Sequence, residues 1–244
     1  MCPPGRERPR TRRDEVVGVA MDKVMTIDEA VARVESGMTL ALGGFLGQGV
    51  PLTLIRALKE REVHELVLYS NDGGFGDDGV VELVRAGMVR KMHCCHIGYT
   101  PALGKAVENG EVELEWVPQG NLIEMLRCGG AGLGGFLTPV GVGTAVEAGH
   151  ETVTVDGHAY LWERAVRADV AFVRAHAGDT YGNLCFRGTS RNYNTVVATC
   201  GDFVIAEVEH MYSIGELDPE KIHTPGVFVD AVVRADVTYC GARR

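Results

Sequence analysis

Residues 116–144, WVPQGNLIEMLRCGGAGLGGFLTPVGVGT, join the end of an apolar strand pattern to a helix and a long glycine-rich block. The strand pattern ends at Trp116, the chain turns at Pro118, and apolar residues then recur at the spacing of an amphipathic helix. Gln119 therefore lies at the carboxyl end of a strand. In open α/β sheets ligands bind at that edge, where a helix start adds backbone N–H groups. We predict a ligand site beside Gln119, although its side chain could instead only cap the helix.

A literal G-x-G-x-x-G motif occurs within this block, at Gly130, Gly132 and Gly135. The dinucleotide-binding version of this motif follows a strand and opens a helix. Here it follows a helix and continues into the Leu-Thr-Pro sequence at 137–139. The context therefore argues against a nicotinamide or flavin cofactor. The glycines instead allow close approach of backbone to backbone or to a ligand.

Composition and charge indicate a globular protein of ordinary type. The 244 residues are 45% apolar, which is enough for one large domain or two small ones. A net charge of −9 without a basic stripe argues against nucleic acid or an anionic membrane surface as partner. No apolar run reaches the ~20 residues that span a bilayer. Seven scattered cysteines without a C-x-x-C pair or a secretory signal predict reduced thiols and a cytoplasmic location.

The first 20 residues differ from the rest because they are rich in Arg and Pro and lack apolar periodicity. We expect a disordered extension over 1–20 and one folded domain over 21–244. A mitochondrial targeting segment fits less well, because acidic residues and prolines interrupt the amphipathic pattern. Translation that begins at Met21 is the simpler alternative, since periodic sequence starts just after it.

A second glycine-rich loop follows the predicted strand at 38–42 and precedes a predicted helix at 52–59, with Pro51 as the first helical residue. The order of strand, glycine loop and helix suits a cradle of backbone N–H groups for a phosphate-bearing ligand. It is not a Walker A motif, because no Lys-Ser/Thr pair follows. A tight βα turn without ligand contact is the alternative. The loop comprises Gly43, Gly44, Phe45, Leu46, Gly47, Gln48 and Gly49.

Strand and helix patterns alternate from Met25 to Val117, which predicts a largely parallel sheet covered by helices. After Thr144 short strands dominate and suggest a smaller mixed β layer that closes the domain. In the first part the expected strands lie at 38–42, 66–69, 89–94 and 112–117. The expected helices there run from Thr26 or Asp28 to Val34, and over 52–59, 80–86 and 101–108. The later strands are expected at 152–155, 158–162, 170–175, 196–198 and 203–208.

Three further patterns suggest chemistry but have structural alternatives. The His-Cys-Cys-His run at 93–96 resembles a metal cluster, yet alternation along a strand separates its members onto two faces, so we predict no metal site there. Glu207 and Glu209 share a strand face and could act as an acid–base pair, but the sequence shows no cleft partner for them, which argues against catalysis. The polar turns at 179–183 and 190–194 could line a crevice or serve only as turns.

Taken together, several motifs closely resemble the alpha subunit of family I CoA-transferases, and the acetate/acetoacetate enzymes in particular. The similarity covers residues 21 to about 232. The motifs are GGFLGQGVP at 43–51, SND at 70–72, CHIG at 95–98, VPQG at 117–120, RCGGAGLGGFLTPVGVGT at 127–144 and RNYN at 191–194.

This resemblance implies a NagB/RpiA/CoA-transferase-like α/β fold and a hetero-oligomer of alpha and beta subunits, of α2β2 type. It also implies ping-pong transfer of CoA from an acyl-CoA to a carboxylate, through a glutamyl-CoA thioester on the beta subunit. Gln119 matches the family's oxyanion glutamine, and residues 43–49 match its CoA-binding stretch. Coenzyme A is then a substrate, and neither a tightly bound cofactor nor a metal is expected.

Two departures from the family pattern concern substrate and local structure. Residues 98–100 and Gln48 differ from the succinyl-CoA-dependent mitochondrial enzymes, which argues against succinyl-CoA as donor. Thr195 replaces the usual proline after the RNYN motif. An acyl-CoA hydrolase or ring-opening enzyme on the same scaffold is an alternative, as is a non-catalytic ligand-sensing module. The presence of Gln119 and the lack of a helix-turn-helix segment argue against the sensing module.

Overall fold

The computed structural model describes residues 22–236, so the predicted extension over 1–20 lies outside the described residues. Within this range six α-helices occur, and none of them is long and apolar enough to cross a bilayer. The helices are α1 (Ile27–Val31), α2 (Leu52–Lys59), α3 (Val81–Arg85), α4 (Pro101–Glu108), α5 (Gln119–Gly130) and α6 (Asn194–Cys200).

Eleven β-strands accompany these helices in the described range, and they form one large and one small sheet. The strands are β1 (Thr39–Leu42), β2 (Leu66–Ser70), β3 (Val89–Cys94), β4 (Glu113–Trp116), β5 (Gly135–Thr138), β6 (Glu151–Val155), β7 (His158–Arg164), β8 (Ala168–Asp179), β9 (Leu184–Cys185), β10 (Gly201–Tyr212) and β11 (Ala231–Arg234).

The large sheet has the order β11-β10-β8-β1-β2-β3-β4, and all of these neighbours pair in parallel. The short strand β9 adds to β8 in the antiparallel direction. Parallel neighbours need crossover connections, which helices supply here. The predicted parallel sheet with a helical cover is confirmed. Because the strands are parallel, their carboxyl ends and the loops that follow them lie at one edge.

Helices cover both faces of the large sheet, as the burial of alternate strand residues shows. In β1, Leu40 and Leu42 pack with the buried side chains of α1–α4, whereas Ala41 packs with those of α5 and α6. All three side chains are fully buried. The period of two along a strand sends neighbouring residues to opposite faces, so a strand buried on both sides is apolar throughout.

Sequence patterns after Thr144 were partly misleading. The smaller β layer is present as an antiparallel sheet with the order β5-β7-β6, but strands β8 and β10, which we expected in it, belong to the large sheet. Residues 196–198, expected as a strand, lie within helix α6. A short run of valines and alanine suits either state, and here packing against the large sheet selects the helix. Pro51 precedes α2 as its N-cap and is not its first residue.

The two glycines that end α5 have a packing role. A β-carbon on Gly129 would overlap the backbone carbonyl of Val166, and one on Gly130 would overlap the side chain of Thr199 in α6. Helix α5 can therefore lie directly against the chain that enters β8 and against α6. The start of α1 also follows a local rule, because Thr26 and Glu29 form a reciprocal capping box.

Asn194 joins the loop after β1 to two other parts of the chain. Its buried amide Nδ2 donates to the carbonyls of Gly49 (3.0 Å) and Ser190 (2.9 Å), and its Oδ1 accepts from the backbone N–H of Arg174 in β8 (2.9 Å). A β-carbon on Gly43 would overlap that Oδ1. Position 43 therefore requires glycine, because any side chain there would collide with the Asn194 amide that holds the loop.

We expect Gly43→Ala to destabilise the chain by about 1–3 kcal/mol, because the added methyl group must displace a buried, fully bonded amide. Gly104→Ala is the matched control, since Gly104 lies within α4 and has open space where a β-carbon would be. This control should be neutral or should stabilise by up to about 1 kcal/mol. Thermal unfolding of the two full-length variants makes the comparison, and equal melting temperatures would show that the site relaxes freely.

Candidate active site

Four loops that follow β1, β2, β3 and β4 meet at the carboxyl edge of the large sheet. Between them they leave a cavity of about 310 Å³. Gln119 therefore shares one cavity with part of the glycine loop, although these segments lie far apart along the chain. The lining residues are Phe45, Leu46, Asn71, Cys95, His96, Tyr99, Pro118 and Gln119.

Gln119 is the first residue of α5, directly after the N-cap Pro118, and no side chain caps this helix start. Its Nε2 donates instead to Oδ1 of Asn71 (3.0 Å), while its carbonyl accepts from the hydroxyl of Tyr193 (3.1 Å). The capping alternative is therefore wrong for the Gln119 side chain. Its amide is directed toward the loop after β2, on the side of the cavity.

Asn71 is almost fully buried and connects the loops after β2, β3 and β4. Its carbonyl accepts from the Cys95 N–H (3.1 Å), and the Cys95 thiol lies 3.0 Å from that carbonyl and 3.1 Å from Oδ1. Burial and the nearby charge of Asp72 raise the pKa of the Cys95 thiol to about 11. At neutral pH Cys95 is thus a protonated donor and a poor nucleophile.

Asp72 ties the glycine loop to the loop after β2. One carboxylate oxygen accepts from the N–H of Leu46 (2.9 Å) and from Nδ2 of Asn71 (2.6 Å), and the other accepts from the N–H of Gly74 (2.7 Å). With three donors on one carboxylate, its charge is well compensated. The glycine loop is therefore anchored by a charged group from the loop after the neighbouring strand β2.

Residues 43–49 form a tight turn. Phe45 and Gln48 exchange backbone hydrogen bonds of 3.0 and 2.8 Å, and both residues between them, Leu46 (φ 46°) and Gly47 (φ 82°), have left-handed backbone conformations. The N–H groups of Gly43, Phe45, Leu46 and Gln48 all have acceptors within the protein. This pairing favours the tight-turn alternative over a phosphate cradle built from these four groups.

The seven loop residues are distributed over two cavities and the interior. Phe45 and Leu46 line the cavity that contains Gln119, whereas Gln48 and Gly49 line a second cavity of about 400 Å³. Gly43, Gly44 and Gly47 are buried. The CoA-binding role of the loop stays a prediction, and the side chains available for it are those of Phe45, Leu46 and Gln48.

A cluster of aromatic rings lies beside the cavity, and the sequence patterns did not identify it. Tyr99 stacks on Phe75 with ring centroids 5.6 Å apart and meets the edge of His96 at 5.1 Å. Phe75 and Tyr99 are about half exposed. Exposed aromatic residues next to a polar cavity are typical of a ligand or protein contact. Only their positions just after strands β2 and β3 could have indicated this role.

The His-Cys-Cys-His run does not converge. His93 stacks on Tyr69 at 4.2 Å, Cys94 belongs to the hydrophobic core, Cys95 contacts Asn71, and His96 lies at the cavity rim. Burial raises the pKa of the Cys94 thiol to about 12. Strand β3 ends at Cys94, so Cys95 and His96 lie in the following loop. The alternation of faces along a strand does not apply to them.

Glu207 and Glu209 share one strand face, as predicted, and both bind Arg174. Glu207 is fully buried, lies 2.6 Å from Nη1 of Arg174 and accepts from the N–H of Leu54 (3.1 Å). Burial, opposed by Arg174, raises its pKa to about 7. Burial also acts to raise the pKa of Glu209, but hydrogen bonds from His176 and Arg174 hold it below its usual value. Glu207 is therefore a buried ion-pair partner of Arg174, and this arrangement does not support an acid–base role for it.

The two polar turns differ in role. In the turn at 179–183, the carboxylate of Asp179 accepts from the N–H groups of Tyr181 (3.1 Å) and Asn183 (2.9 Å), which is local turn chemistry. In the turn at 190–194, Nδ2 of Asn192 donates to the carbonyl of Gln48 (3.0 Å). The second turn therefore supports the glycine loop.

Sequence and structural comparisons agree on the family. The family model described as Coenzyme A transferase matches residues 24–235. The alpha subunit of the acetate CoA-transferase of Escherichia coli (strain K12) is 46% identical over 211 residues, covering 86% of this chain and 96% of that one. One subunit of a probable succinyl-CoA:3-ketoacid coenzyme A transferase of Bacillus subtilis (strain 168) is 42% identical over 214 residues, with 87% and 90% covered.

A solved structure extends this agreement to the fold. The acyl-CoA transferase of Escherichia coli O157:H7, in a thioester complex with CoA, superposes with a TM-score of 0.78 at 26% identity. The match covers 88% of this chain but only 48% of that protein, so the present chain corresponds to about half of it. The fold, the matched family model and the identity to alpha subunits lead to one conclusion: this chain belongs to the coenzyme A transferase family.

Proposed function

We propose that this chain is the alpha subunit of a short-chain acyl CoA-transferase, which moves CoA between an acyl-CoA and a carboxylate such as acetate or acetoacetate. The identity to the acetate enzyme's alpha subunit supports this proposal. A 37% identical alpha subunit of Clostridium acetobutylicum is described as acting on acetoacetyl-CoA and acetate or butyrate. Both names imply a second subunit, which we take to be a beta subunit.

The observation that carries the proposal is the make-up of the cavity around Gln119. Among its eight lining residues are amide, thiol, imidazole and phenol groups, but no carboxylate. The chemistry of this family needs a carboxylate nucleophile, and the protonated Cys95 thiol is no substitute. The site therefore supplies donors and needs an acid residue from a partner chain.

We assign the reaction a ping-pong course. The thioester carbonyl is attacked by a glutamate of the beta subunit, and CoA leaves as thiolate to give an acyl-glutamyl anhydride. The thiolate then attacks the glutamyl carbonyl and releases the carboxylate product, which leaves a glutamyl-CoA thioester. The acceptor carboxylate then attacks the glutamyl-CoA thioester, and the same steps in reverse give the new acyl-CoA and the free glutamate. Each attack forms a tetrahedral oxyanion that needs preplaced hydrogen-bond donors.

Gln119 is suited to this donor role because its amide nitrogen carries two N–H groups. One donates to Oδ1 of Asn71, which fixes the orientation of the amide. The other remains for the oxyanion. Asn71 is held in turn by Cys95 and Asp72, so the amide does not need to reorganise during the reaction.

Gln119→Ala should slow the chemical step by ~10²–10³, the effect of removing one oxyanion donor. The loss should fall about equally on kcat and kcat/KM, because the interaction forms in the transition state. Gln119→Glu should be slower still, since a negative charge opposes both the oxyanion and ionisation of the nucleophile. Single-turnover rates of the complex with the beta subunit provide the measurement. Asn109→Ala, an exposed amide at the end of α4, is the control. An unchanged rate in Gln119→Ala would remove this residue from the mechanism.

The full-length chain alone should show no acyl transfer, because its cavity lacks a nucleophilic carboxylate. Co-expression with a beta subunit of similar size should yield a stable complex with transferase activity. Size-exclusion chromatography and an acyl-CoA assay test both statements. Robust transfer by the verified pure chain would contradict the two-subunit mechanism.

Transfer and hydrolysis can be separated with the complex. With acetoacetyl-CoA and labelled acetate, a transferase forms labelled acetyl-CoA at a rate that rises with acetate concentration. An acyl-CoA hydrolase instead releases free CoA at a rate that acetate does not change. Mass spectrometry of the CoA products distinguishes the two, and acetate-independent release of CoA would replace our proposal by the hydrolase alternative.

A further inference from the structure

A second group of reactive side chains lies on strands β8 and β10, apart from the residues that line the Gln119 cavity. It consists of His176, Glu209 and His210, each of which offers one ligand atom within 4.8 Å of the other two. We infer that these three side chains form a binding site for a divalent transition metal ion of the zinc class. The inference does not depend on the proposed function.

The separations suit an ion bound between the three groups. Nδ1 of His176 lies 2.9 Å from Oε2 of Glu209, and the rings of His176 and His210 meet edge to face with centroids 4.8 Å apart. Two ligands of a tetrahedral zinc ion, with bonds of 2.0–2.1 Å, lie about 3.4 Å apart. Small side-chain rotations therefore suffice, and the ion replaces the hydrogen bond between His176 and Glu209.

Glu209 is held in place by a further partner. Its other oxygen, Oε1, accepts from Nη2 of Arg174 at 2.9 Å. A ligand carboxylate that is hydrogen-bonded on its free oxygen is the usual arrangement in metal sites. The guanidinium charge opposes a cation, but Glu207 pairs with the same guanidinium at 2.6 Å and offsets part of that charge.

The site is accessible and incomplete, as an exchangeable metal site requires. The side chains of His176 and Glu209 are 30% and 19% exposed, and His210 is exposed. His176 and Glu209 also line the 400 Å³ cavity that reaches Gln48 and Gly49 of the glycine loop. Three protein ligands leave a fourth position open for water or a small ligand. Two imidazoles and one carboxylate favour Zn²⁺, Co²⁺ or Ni²⁺ over Mg²⁺ and Ca²⁺.

Cobalt(II) titration of the untagged full-length chain tests this inference. We expect one equivalent of Co²⁺ to bind with visible absorption bands that Zn²⁺ abolishes and excess Mg²⁺ does not. The bands should lack the intense near-ultraviolet absorption of a cobalt thiolate, which separates this site from the cysteines. Bound Zn²⁺ should also raise the melting temperature.

His210→Ala removes an exposed ligand without disturbing the interior, so it should fold normally and bind at least about tenfold more weakly. Glu209→Gln should lose a similar factor, and its melting temperature without metal shows whether the Arg174 contact survives. His158→Ala, which removes an exposed histidine in β7, is the matched control and should bind like wild type. Absence of saturable Co²⁺ binding in wild type, or equal affinity in wild type and His210→Ala, would overturn the inference.

Discussion

The parallel direction of β1, β2, β3 and β4 is the constraint on which the candidate site depends. It brings four loops to one edge of the sheet, where no regular ladder satisfies their polar groups. Asp72 and Asn71 meet that need by hydrogen bonds to the loops after β1, β3 and β4. The buried amide of Asn194 performs the same task on the side of β8. The cavity around Gln119 is the space that these connections leave.

The glycine-rich block supports the site indirectly. Its first glycines, Gly129 and Gly130, allow α5 to lie against the chain before β8 and against α6. Gln119 is the first residue of α5, so the position of this helix determines where the Gln119 amide lies. A bulky residue at Gly129 or Gly130 would therefore displace the proposed oxyanion donor from a distance, since a shift of about 1 Å can cost two orders of magnitude in rate.

The two cavities differ in the polar groups that lie around them, since hydrogen-bond donors lie at the first and carboxylates near the second. Donor groups such as the Gln119 amide and the Cys95 thiol surround the first cavity, whereas Glu207 and Glu209 lie beside Arg174 next to the second. In the two-subunit reaction that we propose, the nucleophilic carboxylate for the first cavity comes from a partner chain. His176 and Glu209, which line the second cavity, form with His210 the metal site that we propose.

The amino-acid sequence by itself determined the order of strands and helices up to Val117, the parallel sheet, and the place of Gln119 after a strand. These features depend on periodicity, helix caps and turns within a few residues. Only the tertiary structure decided that 196–198 is helical, that β8 and β10 join the large sheet, and that Asn71 holds Gln119. The same is true of the cluster of His176 with Glu209 and His210. Such contacts join residues more than 30 positions apart, and strand order, which no local pattern encodes, brings them together.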